Sequence, residues 1–119
     1  MTPQQVIDRN PDALAREMAR PSLDATEDAF QKAVIKLAHD RGWKVAHFRP
    51  ALTAKGWRTP MEGDTGYPDL TLARNGVTLH WELKAKGNKP SKDQEAWAVA
   101  LGGRVLWPKD WDYIWEALK

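Results

Sequence analysis

The chain has 119 residues, 42% of them hydrophobic and 29% charged, with a net charge of +2 and no cysteine. That length fits one domain, and the absence of cysteine excludes disulfides, thiolate zinc sites and a cysteine nucleophile. No apolar run reaches the ~20 residues of a membrane span and no basic-then-apolar leader opens the chain, so a cytoplasmic protein without membrane attachment is expected.

Taken in order, residues 3–20 show helical spacing at Val6, Ile7, Leu14 and Met18, broken at Pro11 and closed by Pro21. They read as an N-terminal helical arm (1–22) ahead of a main domain (23–119). Thr26 to Arg41 forms a firmer helix, with Phe30, Ala33, Val34, Leu37 and Ala38 at three- and four-residue spacing and Gly42 as the stop. Trp43–Phe48 alternates as a strand. Residues 49–66 carry three glycines and two prolines and show no period, the mark of a long loop.

Beyond that loop, PDLTLARNGVTLHWELK predicts a β-hairpin turning at Asn75-Gly76. Ser91 opens a helix that runs to Leu101 and ends at Gly102-Gly103. Arg104–Trp107 is a short strand, and Asp110 is expected to cap a last helix carrying Trp111, Ile114, Trp115 and Leu118. The order α-β-β-β-α-β-α implies an α/β fold, a mixed sheet flanked by helices.

Charge is unevenly spread. No acid occurs from Arg41 to Met61, a stretch holding Lys44, Arg49, Lys55 and Arg58. Lys84, Lys86, Lys89 and Lys92 form a second acid-free run. Two basic clusters around an acidic centre suit a phosphate backbone, although solvated loop lysines would account for either cluster alone.

The hairpin turn determines which residues face each other. With Asn75 and Gly76 as the loop, Arg74 faces Val77, Leu70 faces Trp81, and Asp69 faces Glu82. Directly opposed carboxylates, ~5 Å apart at an effective dielectric of 20, repel by roughly 3 kcal/mol. Protonating one relieves this, and so does a cation between them. Alternation puts Thr78, His80, Glu82 and Lys84 on one face and Val77, Leu79, Trp81 and Leu83 on the other. Carboxylates suit Mg²⁺ or Mn²⁺, which can activate water beside a phosphate, with the lysine stabilising the charge that develops. A merely wet polar face, with Lys84 pairing to Glu82 or Asp69, would carry the same residues.

These residues resemble the PD-(D/E)XK nuclease signature in Pro68-Asp69 followed by Glu82-Leu83-Lys84. The wider pattern of Gly66-Tyr67-Pro68-Asp69, Glu82-Leu83-Lys84-Ala85-Lys86 and Ser91-Lys92-Asp93-Gln94 is similar to the VRR-NUC branch in its small stand-alone phage and bacterial form. The likeness covers about residues 24–118. It implies a restriction-endonuclease-like sheet and a Mg²⁺- or Mn²⁺-dependent deoxyribonuclease acting on branched DNA such as four-way junctions, often as a homodimer. That places it in DNA recombination or repair within a bacterial or phage-infected cell. Residue by residue, the resemblance makes Asp69 and Glu82 metal ligands, with the Leu83 carbonyl and Glu27 as further ligands. Lys84 becomes the catalytic lysine and Gln94 the helical glutamine of the catalytic set.

Alternatives stay open at several of these positions. Glu27 lies three and seven residues before Phe30 and Val34 on the buried face, yet Asp24-Ala25-Thr26-Glu27 also fits a capping-box start. Ser91-Lys92-Asp93-Gln94 is itself a capping box by type. His80 reads as a flanking polar residue. Trp43, Trp81, Trp97, Trp107, Trp111 and Trp115 fit core positions. Trp57, between Lys55 and Arg58, suits either loop packing or stacking on a base. DNA contacts are expected from Arg49, Lys55, Trp57, Arg58, Lys86, Lys89 and Lys92. The competing function is a nucleic-acid-binding module that keeps the fold without catalysis.

Overall fold

A computed structural model describes residues 2–48, 51–53, 56–58 and 63–119, giving the backbone alone for 6–8, 51–53 and 56–58. The helix after the arm, α3 (Glu27–Asp40), starts where Thr26 accepts a hydrogen bond from the Ala29 amide at 3.1 Å. Glu27 is therefore the first helical residue, and its capping-box reading is corrected, because the third helical position is Ala29. The arm itself is two helices, α1 (Pro3–Arg9) and α2 (Pro11–Ala19). α2 turns Ala13 inward, while Leu14 and Met18, which carried the helical spacing, are exposed. It lies against the last helix, α5 (Trp111–Ala117): Trp111 Nε1 donates to the Arg16 carbonyl and Trp115 Nε1 to Asp12 Oδ1, each at 3.0 Å.

Four strands make the main sheet in the order β1-β4-β5-β6: β1 (Lys44–His47), β4 (Leu70–Arg74), β5 (Val77–Leu83) and β6 (Arg104–Leu106). The first three are antiparallel neighbours, and β6 runs parallel to β5 after the crossover helix α4 (Lys92–Leu101). This is a mixed α/β arrangement, as expected. The expected element order is corrected within 49–66. Short strands β2 (Ala51–Thr53) and β3 (Gly56–Arg58) pair there as a separate antiparallel ribbon. Three-residue strands are too short to show a period in the sequence.

The hairpin register is the one the turn dictates. Asn75 and Gly76 both have positive φ, 50° and 80°, the type I′ geometry whose twist matches that of the strands. Leu70 pairs with Trp81 and Leu72 with Leu79. Leu70, Leu72, Trp81 and Leu83 enter a core shared with Phe30, Val34 and Leu37 of α3 and with Trp111, Ile114 and Leu118. Trp43 joins it with Nε1 on the Leu118 carbonyl at 3.0 Å.

Two local expectations change. Asp110 accepts from the Trp107 amide at 2.8 Å, so it closes the 3₁₀ turn Pro108–Asp110 and makes no side-chain cap on α5. Trp97 and Trp107 are half-buried rather than core, because each donates its indole N–H to a loop carbonyl at the surface. Among the described residues no helix is long and apolar enough to cross a membrane.

Candidate active site

The segment entering β4 is positioned by a glycine. Gly66 has φ +94° and lies so close to the start of α4 that a Cβ there would sit 2.7 Å from the Asp93 carbonyl carbon. Only glycine combines that φ with that approach. Tyr67 and buried Pro68 follow, and the Asp69 carbonyl continues the β1 ladder by accepting from the Phe48 amide at 2.9 Å. Asp69 thus arrives one residue beyond the Leu70–Trp81 pair, level with Glu82.

The two acids meet at the open end of the hairpin. The Asp69 amide donates to Glu82 Oε2 at 3.0 Å. Asp69 Oδ2 faces the Leu83 amide at 3.5 Å and accepts from Gln31 Nε2 at 3.2 Å. Glu82 is 2% exposed, and its Oε1 accepts from Gln94 Nε2 at 2.7 Å, with Lys84 Nζ 3.4 Å away. The Lys84 amide is in turn pinned to the Leu106 carbonyl of β6 at 2.9 Å.

Gln94 serves the helix cap and Glu82 with opposite ends of its side-chain amide. Its Oε1 accepts from the Ser91 amide at 2.9 Å, completing the α4 capping box, while its Nε2 reaches Glu82. An amide can do this because it has a donor end and an acceptor end.

Burial and mutual repulsion set the acidities. Burial and then the Asp69 charge push Glu82 up to about 7, against the pull of Lys84 and the Asp69 amide. Burial also raises Asp69, opposed by the Leu83 amide, Lys84 and Gln31. Glu27, at the start of α3, is raised by burial and by Asp69, with Lys84 opposing. Three carboxyls thus share the influence of one ammonium, an excess of acid that a divalent cation would offset.

Asp69, Glu82, Lys84 and Gln94 are brought together. Glu27 approaches them through charge, and among the described residues no three His, Cys, Asp or Glu side chains converge as a metal cage. Two opposed carboxylates still fit Mg²⁺ or Mn²⁺, since Mg²⁺ commonly takes one or two carboxylates and completes its shell with water and substrate phosphate. Lys86, Lys89 and Lys92 are exposed beyond β5. Arg49 and Lys55 lie outside the described residues, as do the side chains of Trp57 and Arg58, whose backbone belongs to β3.

Sequence reasoning missed Gln31, although its position four residues after Glu27 on the same helix face was a usable signal. His80 flanks the acids as a polar residue, as expected, and the partners it gathers there were not foreseen. His80 Nδ1 is 3.2 Å from Thr71 Oγ1 and 3.4 Å from the Tyr67 hydroxyl, and Tyr67 packs edge-on against Trp97 at 5.0 Å. No family model matches the chain, and no curated protein or solved structure is significantly similar to it.

Proposed function

We propose that the chain is a divalent-metal-dependent DNA endonuclease with a restriction-endonuclease-like fold of the VRR-NUC type, selective for branched DNA. The observation that carries this reading is half-buried Asp69 facing buried Glu82, with Lys84 3.4 Å from Glu82. A hydrophobic protein core gains nothing from two facing acids whose acidities are both depressed by burial. They become useful when a cation and a phosphate occupy the space beside them.

Asp69, Glu82 and the Leu83 carbonyl would hold Mg²⁺ or Mn²⁺, with Glu27 as an outer contributor. The ion would lower the pKa of a bound water and neutralise phosphate charge. Lys84 is placed to donate to the phosphoryl oxygens as charge builds on them. Gln94 and Gln31 orient one carboxylate each by donating to a single oxygen, leaving lone pairs on the pair for a cation. The family resemblance adds a 5′-phosphate product, a homodimer able to cut two strands, and a place in recombination or repair in the cytoplasm of a bacterium or phage host.

One observation favours the non-catalytic binding module instead. Among the described residues no fully buried side-chain polar atom lacks a partner, so no buried acid oxygen is left requiring a metal. The two readings separate on a panel of labelled linear duplex, single strand, flap and four-way junction with Mg²⁺, Mn²⁺ or EDTA. The nuclease should cut at least one in a metal-dependent way, and Lys84→Ala should slow cutting by about 10²–10³-fold while DNA binding persists. Undiminished cutting by Lys84→Ala would sink the site, and binding without cutting of any substrate would establish the module.

A further inference from the structure

The loops leaving the C-terminal ends of β5 and β6 border an open cavity of about 330 Å³ whose walls include Leu23, Lys86, Lys89, Trp107, Pro108 and Lys109. These strands are the parallel neighbours of the sheet. In open α/β sheets ligands gather beyond the carboxyl ends of parallel strands, where successive loops part. The volume is in the range of small-ligand sites, roughly 300–1,000 Å³, and too small for a duplex.

The lining has two characters. Its floor is apolar: Pro108 is buried, and the half-buried Trp107 is held by Nε1–H donating to the Asn88 carbonyl at 2.8 Å. Its rim is cationic: Lys86, Lys89 and Lys109 are exposed, and Lys109 Nζ stands 5.4 Å from the Trp107 ring centre. Among the described residues no acid lines the cavity. Asp24 reaches Lys86 from outside at 3.4 Å, an exposed pair that a phosphate can displace. An aromatic plane with one ammonium beside it and two further lysines lining the same cavity suits a flat base joined to phosphates.

We propose that this cavity binds one unstacked nucleotide of the DNA strand presented to the active site, its base against Trp107 and its phosphates on Lys86, Lys89 and Lys109. The proposal rests on the nuclease reading for its substrate. The Lys84 amide is bonded to the Leu106 carbonyl, one residue before Trp107. Lys86 lies two positions after Lys84, so their Cα atoms are at most about 7 Å apart, close to one phosphate step along an extended strand. A strand with its scissile phosphate at Lys84 can therefore place a near neighbour in the cavity. Stacking on an indole tolerates any base, so the cavity selects unpaired nucleotides rather than a sequence.

The test is binding of a fluorescein-labelled single-stranded oligonucleotide in EDTA, read by anisotropy, with one abasic residue moved along the strand. The wild-type chain should lose about ten-fold in affinity at one abasic position. Trp107→Leu should bind the intact strand about ten-fold more weakly and ignore that position, while Trp107→Phe keeps most of the affinity. Lys109→Ala, at an exposed residue that does not endanger folding, should reduce the salt slope of binding by about one. A wild-type chain blind to abasic position overturns the proposal, as does an unchanged slope in Lys109→Ala. If Lys84-dependent cleavage persists in that case, the nuclease reading stands without the cavity. A Trp107-dependent abasic footprint without metal-dependent cleavage leaves the cavity standing and removes the catalysis.

Discussion

At the turn end of the β4–β5 hairpin, Val77 and Thr78 are exposed although they point to opposite faces of the strand. At the open end Trp81, Glu82 and Leu83 are all buried, again on alternating faces. Strand parity therefore decides only where a side chain points. The cost of pointing there depends on what covers the strand, which at the open end is the core shared with α3 and α5 around Trp81 and Leu83, and Gln94 and Gln31 around the acids. The same alternation is neutral at one end and strongly stabilising and destabilising, residue by residue, at the other.

The largest test of that contrast is Trp81→Ala. Trp81 is 1% exposed and packs among α3, α5 and β4, so its loss should lower stability by about 3–5 kcal/mol, measured as a shift of the urea midpoint. A loss under about 1 kcal/mol would mean that the open end is not where the fold draws its stability.

Glu82 tests the other face of the same turn of strand. Its folded pKa is raised to about 7 from an ordinary 4.5, so between those values the folded chain holds more protons than the unfolded one. Stability is then fully present below about 4.5 and lost as pH rises through 7, by on the order of 3 kcal/mol. The raised Asp69 acts with the same sign. In EDTA, Glu82→Gln should therefore gain on the wild type between pH 5 and 8, and Mg²⁺ should restore the wild type alone at the upper end. Melting curves that run parallel across this window would show that Glu82 ionises normally.

How much of this could be read from residues alone follows the range of the interactions. The opposition of Asp69 and Glu82 was legible because a two-residue Asn-Gly turn propagates its register through a ladder of local pairs. The capping box at Ser91 and Gln94 was legible for the same reason, being complete within one turn of helix. Gln31 was not, since its bond to Asp69 spans 38 residues and depends on how α3 crosses the sheet. Trp97 and Trp107 were misread as core because an indole on an apolar stripe looks the same in sequence whether its N–H meets a buried or a surface carbonyl. The expected DNA contacts at Arg49 and Lys55 fall outside the described residues, as do those of the Trp57 and Arg58 side chains.

A smaller effect should follow from Gly66→Ala. The new methyl would meet the Asp93 backbone at 2.7 Å with φ at +94°, so a cost of about 1–2 kcal/mol is expected. The strain falls between Asp69 and Gln94, so metal-dependent cutting should fall further than the fraction of folded protein does. Equal loss of both would make Gly66 a stability residue without influence on the site.

The smallest effect belongs at the turn end. Val77 shares the apolar parity of Trp81 but is 51% exposed, opposite Arg74 and next to the turn. Val77→Ser gives up some strand preference and little buried area, so it should cost under about 0.5 kcal/mol and leave cutting unchanged. Measured beside Trp81→Ala, it isolates coverage from parity, because both residues lie on one face of one strand. A cost above about 1 kcal/mol that grows with protein concentration would mean the turn end is covered after all, by a second copy of the chain. That outcome would break the contrast between the two ends and locate a surface on which two copies of the chain meet.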